Sequence, residues 1–411
     1  MRYSLKAGVL SFTIYVSIVV AMLLLMLILY AYYSNLEKAN NRISIRLLGN
    51  LSSAEQWVLS QGDQLPYGEE YMFDLFGNGT DSVSVTRQPW GLYDQYQVYS
   101  FFRHQKKISK FMMGSQLAAK GRSVIYLQDQ SQGLQLVGDT HIQGDVYLPD
   151  GKVRSAYINR IGYTRNQLVY GTISKSEKKM PTLVAVDRFK EFERYAASLP
   201  HAALYSEKDK VSHSFWSDSL MVMEVGDYRF EDTMEGYIFI NSSGTVILDR
   251  SAHCRDIIVS ANQIHFEEGF TGQGQFFASD TIIVEKGVEL SYPSVLFVEN
   301  SEKPATIEIR EAAQVSGTII MAGAEDNFTD RLISVEDQAE INGTIYCNGY
   351  LTTFGEHNGH VLTRKFLINS FSGIFENYVM NAAFRNDLDS GFLVPNSWFM
   401  KDKKGILQWL Y

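Results

Sequence analysis

A pattern of apolar residues recurs about every 25 residues in the second half of this 411-residue chain. Its anchors are Val259, Val284, Ile309 and Val335. The sequence that follows two of them also recurs, as Gly317-Thr-Ile-Ile-Met-Ala-Gly323 and Gly343-Thr-Ile-Tyr-Cys-Asn-Gly349. Each period holds two short stretches of alternating apolar residues with glycines at the corners. One such unit cannot bury its apolar face alone, so the units must stack.

Stacked units of this kind predict a right-handed parallel β-helix. Propellers and leucine-rich repeats have comparable periods, but a period near 25 is too short for a propeller blade and the leucine/asparagine skeleton is absent. An earlier copy of the pattern occurs at Ile142–Gly151. The Ile-x-Gly-x-Ile spacing resembles bactofilin-type polymer-forming domains, and this resemblance implies stacked β-coils without implying any functional residue.

The repeat is interrupted in the middle of the chain and stops after Gly349. Asp187 is a candidate N-cap for a helix over Asp187–Ser198, which Pro200 closes. The aromatic residues after 361 predict one helix plus terminal strands, as a closing cap. The predicted organisation is first coils at 131–175, an α/β insertion or cap at 176–235, coils at 236–350 and a C-terminal cap at 351–411.

Near the N-terminus, Ala7–Tyr33 forms 27 consecutive uncharged residues. A bilayer core needs about 20 apolar residues in a helix, so 7–33 is a predicted transmembrane helix after a leader at 1–6. A cleaved secretory signal is the competing interpretation, because Arg2 and Lys6 precede the run. Such signals have shorter apolar regions and end at a small-x-small site, which Ala31–Ser34 does not provide.

The charge is divided unequally along the chain. The whole chain carries −9, but residues 1–33 hold two basic and no acidic residues, which leaves 35 basic against 46 acidic residues in the remainder. A short basic leader favours a cytoplasmic N-terminus at the cell inner membrane, with the bulk extracytoplasmic, although Lys38, Arg42 and Arg46 favour the reverse. The acidic balance argues against nucleic-acid binding, and the lipid bilayer is the first predicted partner.

An amphipathic helix is predicted to continue the membrane segment through residues 34–65. Its apolar residues recur at steps of three and four, at Leu36, Ala39, Ile43, Leu47, Leu51, Ala54 and Val58. The first proline is Pro66, so a single helix of about 55 residues, about 80 Å long, is expected. Residues 66–130 predict a small antiparallel sheet, with strands at Ser82–Thr86, Leu92–Phe102 and Ser123–Leu127.

A basic leader, a half-apolar helix and a sheet in this order resemble type IV pilins and pseudopilins. Lys6-Ala7-Gly8 followed by Val9-Leu10 resembles a prepilin peptidase site. The resemblance implies cleavage after Gly8 and a role as a pilin-like minor component. The position that holds a glutamate in many pilins is Thr13 in this chain.

Histidine and cysteine offer two candidate sites, and both are predicted to be structural. His357 and His360 lie close together beside Glu356, but zinc needs three or four organised ligands and no further ligand is suggested nearby. A polar surface loop is therefore expected. His253 and Cys254 are neighbours on a strand and therefore point to opposite faces. Cys254 and Cys347 are separated by nearly four periods, which predicts two free thiols.

The carboxylates of the repeat region are scattered, at Asp249, Asp256, Asp280, Glu285, Glu308 and Glu336. Glu285, Glu308 and Glu336 are predicted to form an acidic ladder on a solvated face, which could alternatively bind cations or sugar. No catalytic, cofactor-binding or metal-ligating residue is predicted. We expect a non-enzymatic structural or binding role in the bacterial envelope, with an envelope protein or a glycan as partner. The alternative is a membrane-tethered polysaccharide lyase or hydrolase of the β-helix type.

Overall fold

The computed structural model describes residues 7–75, 77, 82–117, 122–202, 210–217, 219–300, 303–324, 327–388, 391–395 and 403–410. The fold is mainly β, with about half of the chain in strands and one fifth in helices. The chain divides into two compact units: residues up to Arg87 with Tyr96–Lys110, and Gln88–Gln95 with Phe111 onward. The predicted leader at 1–6 lies outside the described residues.

Within the described residues, two α-helices and three short 3-10 turns accompany the strands. The helices are α1 (Ala7–Gln61) and α2 (Ala185–Ala197). The 3-10 turns are Gly62–Gln64, Pro149–Gly151 and Phe328–Asp330.

The strands are numbered in chain order. The first twelve are β1 (Glu70–Phe73), β2 (Ser82–Trp90), β3 (Tyr93–Phe102), β4 (Gln105–Ser115), β5 (Ile125–Leu127), β6 (Leu134–Val137), β7 (His141–Ile142), β8 (Val146–Leu148), β9 (Val153–Ser155), β10 (Tyr157–Ile158), β11 (Ile161–Gly162) and β12 (Ile173–Lys175). The next ten are β13 (His201–Ala202), β14 (Val211–His213), β15 (Met221–Val225), β16 (Tyr228–Phe230), β17 (Thr233–Gly236), β18 (Ile238–Ser242), β19 (Thr245–Leu248), β20 (His253–Phe266), β21 (Thr271–Val284) and β22 (Glu289–Glu299). The last nine are β23 (Ala305–Ile309), β24 (Gln314–Ala322), β25 (Arg331–Val335), β26 (Glu340–Thr353), β27 (Glu356–Ser370), β28 (Gly373–Glu376), β29 (Tyr378–Met380), β30 (Ala383–Arg385) and β31 (Lys404–Trp409).

In the first unit, α1 is one continuous helix of 55 residues, as the absence of proline predicts. Every side chain from Gly8 to Tyr33 is exposed, and the helix is long and apolar enough to cross a membrane. The lower half of the predicted apolar stripe is buried, at Leu47, Leu51, Ala54 and Val58. In the upper half, Leu36 and Ala39 stay exposed and Ile43 is half-buried. The stripe is therefore buried only in the part of the helix that follows the exposed apolar run.

Arg87 fixes the end of α1 within the same unit. Its guanidinium donates hydrogen bonds to the carbonyl oxygens of Asp63 (2.7 Å) and Leu65 (2.9 Å). A helix end leaves carbonyl groups without intrahelical partners, and a basic side chain can satisfy those that follow the last turn. Strand β1 pairs antiparallel with β2, with Glu70 opposite Thr86.

The small antiparallel sheet has the strand order β1-β2-β3-β4-β31. Its last strand, β31, comes from the C-terminal end of the chain and pairs with β4, with Trp409 opposite Phe111. The sheet is confirmed, but its predicted range of 66–130 is too long. β5 pairs in parallel with β27 and belongs to a different sheet system.

In the second unit, parallel ladders join β5, β7, β8 and most strands from β12 onward into one sheet system that closes on itself. We call this system the parallel stack and each of its layers a coil. Alternate side chains point inward and form one continuous apolar core, which includes Ile319 and Ile345. These two residues lie opposite each other on adjacent coils.

The length of a coil varies, which corrects the regular period predicted above. The intervals of 25 and 26 residues are real, since Val284 lies opposite Ile309 and Ile309 opposite Val335. The preceding coil is shorter, because Val284 lies opposite Phe266 on its other side. Val259, the first predicted anchor, lies opposite Phe276 instead.

The order of coils differs from the order of the sequence. β27 pairs with β5, β5 with β8, and β8 with β12, all in parallel. The first coils therefore stack beyond the last one, and do not precede the coil that begins near residue 236. At the other end of the stack, β13 pairs with β15 and β14 with β17. Residues 176–200 carry the chain from one end to the other.

Helix α2 occupies this connecting segment and confirms the predicted helix to within two residues. Asp187 lies in its first turn, while Val184 holds the N-cap position without a side-chain hydrogen bond. Phe192 is fully buried, with edge-to-face contacts to Trp90 and Phe239. The helix thus packs on a second apolar cluster, separate from the core inside the coils.

The helix predicted within 361–411 is absent from the described residues. That segment begins in β27, which pairs with β26, β5 and β30. Phe366 and Ile368 are buried at the strand period of two, whereas Phe371 lies 92% exposed at the turn before β28. Parallel partners on both sides decided the conformation, because periodicity alone does not distinguish a short buried helix from a strand.

Candidate functional site

The paired histidines lie on β27, so the surface loop predicted for them is wrong. His357 is buried, stacks on Phe384 with ring centres 5.0 Å apart, and contacts the hydroxyl of Thr353. The Nδ1 of His360 lies 3.2 Å from the carbonyl oxygen of Ser123. Burial lowers the pKa of His357 to about 3 and that of His360 to about 4. Among the described residues, no three His, Cys, Asp or Glu side chains are grouped so as to hold a metal ion.

The cysteine candidates are structural residues. His253 is exposed and Cys254 is buried, so the two side chains lie on opposite faces of β20 as predicted. Cys254 and Cys347 are both buried free thiols. Burial raises the pKa of each thiol to about 12, which keeps both protonated at neutral pH.

The predicted acidic ladder also contains a basic side chain, that of Arg310. In register, Glu285 is followed on the next two coils by Arg310 and then Glu336, while Glu308 lies two positions earlier. Arg310 bonds Glu336 at 2.8 Å and Glu308 at 2.5 Å, and Glu285 lies 3.1 Å from His265. The like-charge repulsion expected from the sequence is therefore relieved by ion pairs along the column.

Asp249 belongs to a similar ion-paired network. Arg229 contacts the carboxylates of Asp249 and Glu267 on successive coils. The hydrogen bonds from Ser251 come first among the causes that lower the pKa of Asp249, to about 2, and Arg229 adds to them. The charged side chains in this network are therefore paired with one another by ion pairs and hydrogen bonds.

A polar groove of about 610 Å³ opens along one corner of the parallel stack, and we call it the corner groove. Its lining residues are Gly244, Thr245, Asn262, Gln263, Ser279, Asp280, Glu299, Asn300 and Lys303. They come from the bends of β20 and β21, the start of β19 and the residue before it, the end of β22 and the segment that follows β22. Asp280 is the one sequence candidate that this groove contains.

One wall of the corner groove is a hydrogen-bonded column that crosses the coils. Asn262 Nδ2 donates to the carbonyl oxygen of Ser243 (2.7 Å), and Ser279 Oγ donates to Asn262 Oδ1 (3.2 Å). Asn300 Nδ2 donates in turn to the carbonyl oxygen of Ser279 (2.6 Å). Each link joins neighbouring coils, so polar groups recur at the strand spacing of about 4.8 Å.

A second row runs beside this column. Gln263 Nε2 donates to one carboxylate oxygen of Asp280 (3.1 Å), and the hydroxyl of Thr281 donates to the other (3.2 Å). Asp280 is thereby held in one orientation with both oxygens engaged. Its neighbours present further amide and hydroxyl groups toward the groove, so the wall offers both donors and acceptors.

Helix α2 borders a smaller cavity of about 280 Å³ that shares Asn262, Ser279 and Glu299 with the corner groove. Lys190 Nζ lies 3.7 Å from the Glu299 carboxylate. Desolvation, followed by repulsion from Glu299, raises the pKa of Glu193. The cavity therefore brings two carboxylates, those of Glu193 and Glu299, beside the ammonium group of Lys190.

Sequence reasoning missed Glu193 and Glu299. They are 106 positions apart, and only the docking of α2 on the coils brings them to one cavity. No local motif marks either residue. The spacing of Asn262, Ser279 and Asn300 follows the true coil lengths, which a fixed period of 25 does not reproduce.

The composition of the corner groove suits a ligand rich in hydroxyl groups. Amide and hydroxyl side chains can both donate and accept hydrogen bonds, as sugar hydroxyls do. Asp280 and Glu299 are balanced locally by Lys190 and Lys303, so the groove is not selective for a strongly charged ligand.

The chain matches no protein-family model. It also matches no curated protein and no solved structure.

Proposed function

We propose that this protein is a single-pass protein of the bacterial inner membrane whose bulk is extracytoplasmic. The long apolar helix α1 supports the anchor, and the basic start against an acidic remainder supports a cytoplasmic N-terminus. The parallel stack is proposed to be a right-handed parallel β-helix. The parallel pairing of its strands supports the β-helix. The strong preference of connections between parallel strands for the right-handed form supports its handedness.

Its proposed role is structural and binding, with a linear glycan of the envelope as the ligand of the corner groove. The observation that carries this proposal is the column of Asn262, Ser279 and Asn300, which repeats polar groups at the coil spacing. The rise per sugar unit along an extended glycan chain is of the same order as that spacing. Successive sugars could therefore meet equivalent groups on successive coils.

Binding is tested by co-sedimentation of the full-length protein, in detergent, with purified peptidoglycan sacculi. We expect Asp280→Ala to weaken binding about tenfold, which corresponds to about 1.4 kcal/mol. Asp337→Ala, at an exposed turn on another coil, is the matched control and should bind as the wild type does. Failure of the wild-type protein to sediment with the sacculi, or equal loss in both variants, would contradict the proposal.

Membrane orientation and processing are tested separately. Protease treatment of intact spheroplasts should degrade the bulk of the protein and leave only the leader and the membrane-spanning part of α1 protected. The pilin-like interpretation predicts a mature chain that begins at Val9, which mass spectrometry of the purified protein measures. Retention of Met1 would leave a membrane-resident protein and exclude the processed, pilin-like one.

A polysaccharide-active enzyme is the second candidate, and the cavity beside α2 favours it. Glu193, whose pKa is raised by desolvation, is the proposed general acid, and Glu299, paired with Lys190, is the proposed second carboxylate. Release of new reducing ends from sacculi by the wild-type protein, lost in Glu193→Gln with binding retained, would establish this activity. Absence of reducing ends in the wild type would leave the binding role alone.

A further inference from the structure

A second groove, of about 510 Å³, lies between β14, β17, β20 and the C-terminal strand β31. Its lining residues are Ser212, His213, Ser214, Phe215, Glu235, Gly236, Arg255, Asp256, Gln408, Trp409 and Leu410. None of them lines the corner groove. We call this cavity the C-terminal groove, and a ligand bound there does not depend on the role proposed for the corner groove.

Asp256 is placed in this groove by a bulge in β20. Cys254 lies opposite Gly272 and Ile257 opposite Gly274, so two residues of β20 face one residue of β21. Asp256 has a φ of 56°, in the left-handed region that aspartate tolerates better than most residues. The bulge turns its carboxylate out of the alternating strand pattern and toward the groove.

Two glutamines hold the Asp256 carboxylate in place. Gln408 Nε2 lies 3.1 Å from each carboxylate oxygen, and Gln273 Nε2 donates to one of them at 3.1 Å. Gln408 is 152 positions further along the chain, on β31, so the last described strand returns to complete this groove. Burial raises the pKa of Asp256, the bonds from Gln408 lower it, and burial is the larger effect.

Glu235 and Arg255 form the charged floor. They lie opposite each other on β17 and β20, with Ser212 of β14 on the other side of Glu235. Lys210 Nζ lies 2.9 Å from the Glu235 carboxylate and lowers its pKa. The side chain of Arg255 is 64% exposed, with Nε 3.6 Å from Asp256.

Trp409 supplies an aromatic wall. Its side chain is 41% exposed, and an edge-to-face contact with Phe111 at 5.6 Å fixes the ring. A half-exposed, immobilised tryptophan beside planar charged groups offers one flat apolar surface and several directed hydrogen-bonding groups. A sugar ring has the complementary character, because its C–H face is apolar and its rim carries hydroxyls.

We infer that the C-terminal groove binds a neutral saccharide, with the sugar ring stacked on Trp409 and its hydroxyls bonded by Arg255, Glu235 and Asp256. Two carboxylates disfavour an anionic ligand, and Arg255 with Lys210 disfavours a simple cation. An uncharged ligand that is both apolar and hydroxylated satisfies the whole set. The cavity has room for a short oligosaccharide, in contrast to the extended chain proposed for the corner groove.

The test is isothermal titration of the full-length protein in detergent with maltohexaose and with chitohexaose. We expect the wild type to bind at least one of them, and Trp409→Ala or Arg255→Ala to weaken that binding at least tenfold. Trp409→Phe keeps a flat ring and should retain part of the affinity, which separates loss of stacking from loss of folding. Tyr157→Ala, at an exposed aromatic residue elsewhere, is the control.

Testing each variant in the binding assay of the other groove distinguishes the two grooves. Asp280→Ala should leave oligosaccharide titration unchanged, and Trp409→Phe should leave sedimentation with sacculi unchanged. The inference is overturned if the wild type binds neither oligosaccharide. It is equally overturned if Trp409→Ala and Arg255→Ala bind as tightly as the wild type.

Discussion

At the residue scale, the position held by Gly343 tolerates no side chain. Its φ is 151°, and a Cβ there would lie 1.8 Å from the carbonyl oxygen of Gly317 on the adjacent coil. Gly317, Gly343 and Gly359 lie opposite one another on three successive coils. Glycine is therefore required at this position of the sequence repeat, because the backbones of neighbouring coils approach each other closely there.

Gly343→Ala is expected to lower the free energy of unfolding by about 3 kcal/mol or more, because backbone strain and a backbone clash add together. Gly287→Ala is the matched control, since Gly287 also has a positive φ of 65° but no atom within 4 Å of an added Cβ. That control should cost about 1 kcal/mol, the price of the left-handed conformation alone. Denaturant unfolding measures both, and equal losses would show that the close approach is absent.

Buried His357 makes stability depend on pH. Its pKa is about 3 in the folded protein, against about 6.5 in an unfolded chain, so between these values only the unfolded state takes up the proton. Stability must then fall as the pH falls from 6.5 toward 3.

The change His357→Phe should reduce the slope of unfolding free energy against pH in this window by up to about 1.4 kcal/mol per pH unit. Denaturant titrations between pH 4 and 7 measure the slope. Phe384→Leu disturbs the same stacked pair without removing the imidazole, so it should lower stability and keep the slope. A slope unchanged by His357→Phe would mean that this imidazole is protonated in the folded state as well.

At the scale of elements, α2 owes its position to one aromatic face. Phe189 stacks on Phe277 with ring centres 3.7 Å apart, and Phe192 is fully buried against Trp90 and Phe239. The opposite face of the helix is exposed. A 13-residue helix is marginal in isolation, so these contacts and not helix propensity determine its stability.

Phe192→Ala should therefore destabilise the second unit by about 3–5 kcal/mol, the usual cost of emptying a buried aromatic site. Faster hydrogen exchange in residues 185–197 than in the parallel stack would show that the helix detaches first. Glu191→Ala changes an exposed neighbour and should change neither quantity. Uniform exchange throughout the unit would indicate instead that α2 and the coils unfold together.

At the scale of the whole molecule, the first coils complete the stack from the far side. Gln135 of β6 lies opposite Tyr378 of β29, although 243 positions separate them. This arrangement pairs strands from near the beginning and the end of the second unit, so these pairings form only when nearly the whole chain is present. Contacts of such long sequence separation favour slow folding.

Replacing Gln135 and Tyr378 with cysteines should give an intramolecular disulfide on mild oxidation, because directly opposed parallel residues lie within bonding distance. The pair Gln135→Cys and Tyr228→Cys tests the coil order expected from the sequence and should remain reduced. Gel mobility before and after reduction measures both. If only the second pair formed a disulfide, the coils would be stacked in the order of the sequence, which would contradict the pairing of β6 with β29.

The sequence by itself determined the local features whose signals are short in range. The uncharged run Ala7–Tyr33 predicted the long helix, and alternating apolar residues predicted strands throughout the repeat. Both depend on which residues are apolar and at what spacing, and that information is contained in a window of a few turns or strands.

Only the tertiary structure decided which strands are neighbours and what the corners hold. β5 pairs with β27, Arg310 enters the predicted acidic ladder, and Gln408 reaches Asp256 from 152 positions away. The pattern of apolar residues is almost the same in every coil, so it specifies that coils stack but not their order. The C-terminal groove exists only after tertiary packing, because Gln408 and Trp409 reach Asp256 from the C-terminal strand. The corner groove lies on coils that follow one another in the sequence, and its polar side chains meet where those coils stack.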